Sequence, residues 1–448
     1  MANVLEFFAN TRERLQGHGV GAVFARGASG SFGVMALGAV MTLCTNMLLT
    51  RVMGVAQYGI YIYILTWINL LVLVCKFGMD TSLVRFVAAY NAKHDWGLFR
   101  GIVGHSYKFV MLASFFIGII AVSVIYLIHD HIGVDRSKTF VIALLLLPVL
   151  SLTALRQAIL RGLKHVVLAA LPDSLIRPLL VTILTGGFYI FSTQQLAATK
   201  VMLFTLAAAL AAFFIGSIWL VRVLPKKVGR TPSVYARSEW LTVSLPLFFI
   251  SGMSVLLHQA DIIMIGIILN TDQAGIYAVS SRIAGLVAFG LSAINAIAAS
   301  IISELYSTGQ HMLLQKIVTQ AARGLFVFTL ISSLFLSIYG KLILGFFGAE
   351  FVNGYLSLLV LLVGQSVSSL VGSVGLLMTM TGHQKQAAFI IGVGAIANII
   401  LNAVLISWLD DMIGAAIATA VTTVLLNLVM LAKVLQKLNI NPTVLVRG

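Results

Sequence analysis

Apolar residues run along this chain in stretches of about twenty, the length an α-helix needs to cross the hydrocarbon core of a bilayer. Twelve such runs are predicted, near residues 30–50, 58–75, 107–128, 139–158, 174–192, 199–221, 241–268, 275–300, 322–340, 355–380, 386–407 and 413–432. Strands of a membrane barrel would be about ten residues long and would alternate apolar with polar positions. These runs do neither, so the pattern predicts an all-α membrane protein. The connections on the outer side, near 51–57, 129–138, 193–198, 269–274, 341–354 and 408–412, are short and leave no room for an outer domain.

Two runs meet at the turn Asn270-Thr271-Asp272-Gln273, and each carries one charge: Asp261 before the turn, Arg282 after it. An antiparallel hairpin puts both at similar depth, roughly 10–15 Å inside the turn at the helical rise. A lone charge there costs about 2.5–3.5 kcal/mol, so an Asp261–Arg282 ion pair facing the bundle interior is expected. His258 lies three residues before Asp261, on the same helical face. Three roles stay open for this cluster: an ion pair that fixes the hairpin, proton or cation coupling through Asp261 and His258, and substrate contact by Arg282.

The motif at the hairpin is echoed earlier. Gln57-Tyr58-Gly59-Ile60-Tyr61 matches Gln273-Ala274-Gly275-Ile276-Tyr277, at an offset close to half the chain. Arg161-Gly162-Leu163-Lys164 and Thr381-Gly382-His383-Gln384 end two other runs at nearly the same offset. Two similar halves are expected. Asp261 falls on Thr45 and Arg282 on Thr66, so the charged residues belong to the second half alone. The expected organisation is a cytoplasmic interfacial segment (1–29, with Arg12, Glu13 and Arg14 near Leu5, Phe7 and Phe8), a six-helix lobe (30–221), a basic cytoplasmic linker (222–240) flanked by Trp219 and Trp240 as interface anchors, a second six-helix lobe (241–435) and a cytoplasmic tail (436–448).

Composition agrees: 60% of residues are hydrophobic and 10% charged, against about 25% charged in soluble proteins. The net charge of +15 raises nucleic acid as a partner, but its distribution argues for topology instead. With the N-terminus inside, 23 of the 29 Lys and Arg fall on the cytoplasmic side, five on the outer side (Arg51, Arg136, Lys138, Lys200, Lys341), and Arg282 within a run. This is the positive-inside bias of a protein with both termini in the cytoplasm. No basic stripe with interleaved aromatics points to nucleic acid. Cys44 and Cys75 sit in apolar runs and make neither a metal-ligand spacing nor an expected disulfide. No cleaved signal peptide is expected.

No enzyme motif, ATP-binding loop, metal site or cofactor motif is present in the sequence. Asp410-Asp411 reads as a solvated outer turn. After the second run, Gly78 stops the helix and Asp80 or Thr81 is placed to cap the next one, an amphipathic stretch carrying Arg85 and Lys93 along the cytoplasmic surface. The connection 156–177 is basic, with Arg156, Arg161, Lys164 and Arg177, and its Pro172 and Pro178 mark a helix start or a kink. Asn398 and Asn402 lie one turn apart on one face, suited to bonding a neighbouring helix or to lining a cavity.

Phe77-Gly78-Met79-Asp80-Thr81-Ser82-Leu83-Val84-Arg85-Phe86 resembles the stretch after the second helix of polysaccharide and O-antigen flippases. Leu245-Pro246-Leu247 followed by Asp261-Ile262-Ile263-Met264-Ile265-Gly266 is similar to their seventh helix. Gly275-Ile276-Tyr277 and Gly414-Ala415-Ala416-Ile417-Ala418-Thr419 resemble the starts of their eighth and twelfth. The likeness covers about 30–435 and places the chain near the multidrug/oligosaccharidyl-lipid/polysaccharide exporter superfamily. It implies about twelve transmembrane helices in two six-helix lobes around a central cavity, alternating access, and a place in the cytoplasmic (inner) membrane. It implies translocation of undecaprenyl-pyrophosphate-linked oligosaccharide for lipopolysaccharide, O-antigen or other cell-surface polysaccharide, with membrane lipids and polysaccharide polymerase machinery as partners. A pyrophosphate needs cations, and Arg suits phosphate. Arg282, Arg85, Arg156, Arg161 and Lys76 are the candidates to bind it. The runner-up is a cation-coupled multidrug-type exporter, which would want an acidic cavity; the first half has no clear intramembrane acid. A membrane glycan polymerase or ligase would carry a large outer loop, and none is present.

The charge asymmetry yields a topology test. In a background without native cysteines, cysteines placed at Lys227 and at Asp410 should react with an impermeant thiol reagent from opposite faces of the membrane. Labelling of both from one face would contradict the twelve-crossing arrangement.

Overall fold

Within lipid every backbone N–H and C=O must be satisfied by the protein itself, and a helix does this locally. The apolar runs accordingly become long helices. The structure is a computed structural model. It describes residues 20–128, 130, 133–192, 196–229, 231–438 and 440–444, with backbone alone at 20–32, at 192 and at several positions between 289 and 300. Of the interfacial segment expected over residues 1–29, the first nineteen lie outside the described residues, and residues 20–29 form the start of the first long helix.

The helices run in chain order as α1 (Val20–Lys76), α2 (Met79–Lys93), α3 (Trp96–Leu127), α4 (Val134–Leu144), α5 (Leu146–Gly162), α6 (Val166–Leu171), α7 (Arg177–Ser192), α8 (Ala198–Val223), α9 (Arg237–Ile268), α10 (Thr271–Ser307), α11 (His311–Phe347), α12 (Tyr355–Val371), α13 (Val374–Met380), α14 (Gln384–Leu409) and α15 (Ile413–Leu438). A π-helical turn, Pro172–Ile176, joins α6 to α7, and a 3₁₀ turn, Ala349–Gly354, joins α11 to α12. Among the described residues there is no strand.

By length and apolarity, ten stretches of the described residues can cross a membrane. The first, Gly33–Lys76, would measure about 66 Å as one straight helix, twice the hydrocarbon thickness. It is broken at Gly54, whose φ of 71° and ψ of 174° is a conformation open to glycine alone. Thus α1 supplies two crossings, and the outer loop expected at 51–57 is a one-residue break. The hairpin forms as expected: Asn270 is the N-cap of α10, its side chain accepting from Gln273 N at 2.9 Å. Counting α10 gives about twelve crossings, and the chain is a multi-pass helical membrane protein.

Contacts group the chain into two compact units. One takes the chain to Leu48, with Leu71–Gln194 and Thr199–Phe248; the other takes Leu49–Leu70, Gln195–Ala198 and everything from Phe249. The first unit is centred on α2, an amphipathic helix whose Met79, Ser82, Leu83, Phe86, Val87 and Tyr90 are buried at helical spacing. They pack with Phe99 and Ile102 of α3, Leu155 and Ile159 of α5, and Trp240. Trp240, expected as an interface anchor, is fully buried and donates from Nε1 to Tyr90 Oη at 3.1 Å. Its ring completes this core, where burial outweighs an interfacial position. The second unit has a matching core from Ile302 and Leu305 of α10, Leu314 and Val318 of α11, Leu377 of α13 and Val434 of α15.

The internal repeat appears as paired hydrogen bonds. Gln57 Oε1 accepts from Ala198 N at 2.8 Å, holding the start of α8. Its counterpart Gln273 Oε1 accepts from Met412 N at 3.2 Å, just ahead of α15. Gly59 and Gly275 are also counterparts, and the two backbones meet there: a Cβ on Gly275 would lie 2.8 Å from the Cα of Gly59. The segment after each half's last helix is then strapped to the first turns of that half's third crossing. After α8, Val234 N donates to Gly97 O at 3.0 Å, and Arg100 Nη1 donates to Gly229 O and Thr231 O. After α15, Gln315 Nε2 donates to Asn441 O at 2.6 Å and Gln315 Oε1 accepts from Asn441 N at 2.8 Å. Ile440, 2% exposed, enters the core of its unit.

The second strap is predicted to stabilise its unit. Gln315→Leu removes both hydrogen bonds to Asn441 and a third to Thr319 Oγ1, each worth about 0.5–1.5 kcal/mol. It should lower the melting temperature in detergent, and deleting residues 440–448 should lower it further. A deletion without effect on melting would show that the strap bears no load.

Candidate functional site

The densest polar site in the second unit is built around Asp261. Its carboxylate is 4% exposed and receives donors from three helices. Tyr277 Oη of α10 and Thr419 Oγ1 of α15 donate to Oδ2 at 2.6 and 2.7 Å, and Asn402 Nδ2 of α14 donates to Oδ1 at 2.8 Å. Asn402 Nδ2 also reaches Asn398 Oδ1 at 3.0 Å, and Asn398 Nδ2 donates to Thr419 Oγ1 at 3.1 Å. Asn402 Oδ1 is buried without a hydrogen-bond partner. Small residues permit this convergence: Ala415, Ala416 and Ala418 of α15 are fully buried, letting helix backbones approach. Asn398 and Asn402, one turn apart, therefore bond both their neighbouring helices and the carboxylate. Among the described residues no group of three or more His, Cys, Asp or Glu is placed to hold a metal ion.

The first half carries a neutral version. Thr45, the counterpart of Asp261, shares a 2.9 Å hydrogen bond with Thr182 Oγ1 and contacts the carbonyl of Pro178. Threonine hydroxyls satisfy themselves on backbone carbonyls, so nothing there requires an ionisable partner.

The expected Asp261–Arg282 ion pair does not form. Both carboxylate oxygens are taken by Tyr277, Thr419 and Asn402, while Arg282 Nη1 donates to Tyr58 Oη at 2.9 Å. Helical phase explains the difference. Tyr277 occupies the hairpin position facing Asp261, and Arg282, five residues on, points about 140° around the helix from it. Equal depth is necessary for an ion pair but does not secure it. His258 is exposed although Asp261 is buried, and no hydrogen bond joins the two.

The other predicted cations separate into three kinds. Arg156 was expected at a cytoplasmic mouth but is 0% exposed. Its Nη1 donates to Ala212 O and Phe213 O of α8, and its Nη2 to Asp173 of the π-helical turn. Gln157 Nε2 shares Asp173 Oδ2 at 2.8 Å. This buried ion pair ties α5 to α8 and the π turn, and the Nε of Arg156 is buried without a hydrogen-bond partner. Lys76 is paired with Asp80 at 2.8 Å one turn ahead, which takes Asp80 away from the capping role expected of it. Arg85 and Arg161 are exposed. Arg161 leans on Gln157 Oε1 at 2.9 Å, and Arg85 lies over the Phe86 ring.

Tyr277 stands in the repeated motif and Thr419 at the end of the Gly414 stretch, but both side chains are uncharged, so rarity of charge in the apolar runs does not mark them.

A family profile described as "Polysaccharide biosynthesis protein" matches residues 24–302. No curated protein matches the chain. Solved structures do. One is the inward-facing conformation of a multidrug resistance MATE family transporter of the MOP superfamily, 12% identical, with 92% of this chain and 98% of that chain covered and a TM-score of 0.75. Another is a MOP superfamily transporter from Pyrococcus furiosus described as having a binding pocket of reverse polarity, 14% identical over 93% and 95% of the two chains, TM-score 0.65. The outward-facing conformation of a multidrug resistance MATE family transporter gives 0.63 at 14% identity, over 93% and 95%. At these identities the likeness is one of fold alone.

The Arg156 cluster gives a stability test. Arg156→Met strands Asp173 in the bundle and should cost about 3–5 kcal/mol, while the double change with Asp173→Leu should recover most of the loss. Thermal unfolding in detergent reads both. Additive losses would mean that the two side chains do not act as a pair.

Proposed function

The chain belongs to the polysaccharide biosynthesis protein family, and from that premise we propose that it flips an undecaprenyl-pyrophosphate-linked oligosaccharide across the cytoplasmic membrane for cell-surface polysaccharide synthesis, O-antigen among the possible products. The observation that carries the reading is Arg282, a half-buried cation within a crossing helix, in a half that also holds a buried carboxylate centre. An anionic headgroup leaving water needs charged hydrogen-bond donors to replace its hydration. Arg85 and Arg161, exposed on the side read as cytoplasmic, would meet it first, with Lys76 joining if it leaves Asp80. Arg282 would hold it at depth, and alternating access would expose it to one face at a time. Both termini face the cytoplasm in this reading, lipids surround the chain, and the polysaccharide polymerase takes the product.

Asp261 is assigned to coupling. A carboxylate flanked by the hydroxyls of Tyr277 and Thr419 and by the amide of Asn402, whose Oδ1 has no partner of its own, suits a proton or a hard monovalent cation. Exposed His258, three residues away, offers a proton route. Exchange at Asp261 would alter the bonds among α9, α10, α14 and α15 and so bias the conformation. A multidrug-type exporter shares the fold, but an organic cation would need an open carboxylate, and that of Asp261 is enclosed.

The test is translocation of undecaprenyl-linked glycan in proteoliposomes at matched reconstitution. Arg282→Gln should abolish most transport, and Arg282→Lys should retain part, because Lys keeps the charge but lacks the planar fork. Asp261→Asn should remove dependence on the driving ion gradient. Normal transport by Arg282→Gln would refute the substrate role.

A further inference from the structure

Arg282 is held by a residue from the opposite half of the repeat. Tyr58 lies on the stretch of α1 that belongs to the second unit, and its hydroxyl accepts from Arg282 Nη1 at 2.9 Å. The phenol is itself fixed. It is 0% exposed and stands edge-on to the Phe351 ring, with centroids 5.8 Å apart and planes at 75°. Phe351, 1% exposed, belongs to the 3₁₀ turn, which is tied to α10 where Ser280 Oγ donates to Gly354 O at 3.0 Å. Next to Tyr58, Gly59 brings α1 so close to α10 that an added Cβ would clash with Thr271 O. Three elements thus fix the oxygen that Arg282 contacts.

Resting on the proposed reading of Arg282, we propose that Tyr58 is a positioning residue: its hydroxyl sets the plane of the Arg282 guanidinium for an incoming pyrophosphate. A guanidinium binds phosphate through two parallel N–H bonds in one plane. An arginine free to rotate would have to find that plane at each encounter. Anchoring Nη1 on an immobile phenol fixes the plane and sets which edge turns away from Tyr58. The role therefore concerns headgroup affinity in the ground state, and the step that moves the loaded site is independent of it.

The test is Tyr58→Phe, which keeps the ring against Phe351 and removes only the hydroxyl. In the proteoliposome assay with undecaprenyl-pyrophosphate-linked oligosaccharide, the half-saturating concentration should rise about tenfold, the scale of one hydrogen bond to a charged group. The maximal rate should stay within about twofold, since the loss falls on binding. In an Arg282→Lys background, which lacks the planar fork, Tyr58→Phe should add no further loss. Three results would overturn the proposal: unchanged half-saturation in Tyr58→Phe, a loss confined to the maximal rate, or an equal loss in the Arg282→Lys background. Poor transport by Arg282→Gln together with a silent Tyr58→Phe would remove the positioning role and leave the substrate role standing. Normal transport by Arg282→Gln would remove both.

Discussion

A carboxylate far from water must find all its hydrogen bonds in the protein, and in this chain that demand falls on Asp261. Its three donors come from three helices, the hairpin partner α10 and the remote α14 and α15. Each donor needs its helix at a set rotation and depth, so one buried charge orders four helices at once. Small residues then follow: without Ala415, Ala416 and Ala418 buried on α15, Thr419 could not come within reach. Van der Waals packing, which drives helix association in lipid, supplies the close approach, and the carboxylate supplies the register.

The repeat shows what that demand adds. Both halves keep the glutamine that holds the start of the last helix and the strap that follows it. They differ where Thr45 stands in one and Asp261 in the other. The shared features build the scaffold, and the differing one introduces chemistry into a single half. Arg156 in the first unit is the contrasting case: a charge just as deeply buried, yet enclosed by Asp173 and two carbonyls, with geometry that serves packing.

Much of the fold was legible in the order of apolar runs, because the bilayer imposes a length and leaves only helices to meet it. The hairpin at Asn270 and the paired halves were readable from short motifs. The break at Gly54 was not, since a glycine in an apolar run more often packs than bends. The site was legible in part. Asp261, Arg282 and the asparagines were identifiable by their rarity in apolar runs, but their partners were not. Reading depth along a hairpin is simple arithmetic on the rise per residue, whereas facing depends on helical phase, and a change of five residues sends Arg282 to Tyr58 instead of Asp261. Arg156 shows the same limit: a basic residue near a predicted helix end resembles a surface cation until its burial is known.

Helix α15 is held at both ends and in the middle. Gln273 grips the residue ahead of its N-terminal end, Gln315 grips the strap beyond its C-terminal end, and Thr419 between them touches Asp261. A helix resists stretching, so α15 can act as a connecting rod. Swapping the occupant of the carboxylate site would push on its midsection, and the displacement would reach the α9–α10 hairpin at one membrane face and the start of α11 at the other together. In the proposed coupling role, an event of atomic size at one buried oxygen would thereby gain mechanical leverage over both faces of the membrane.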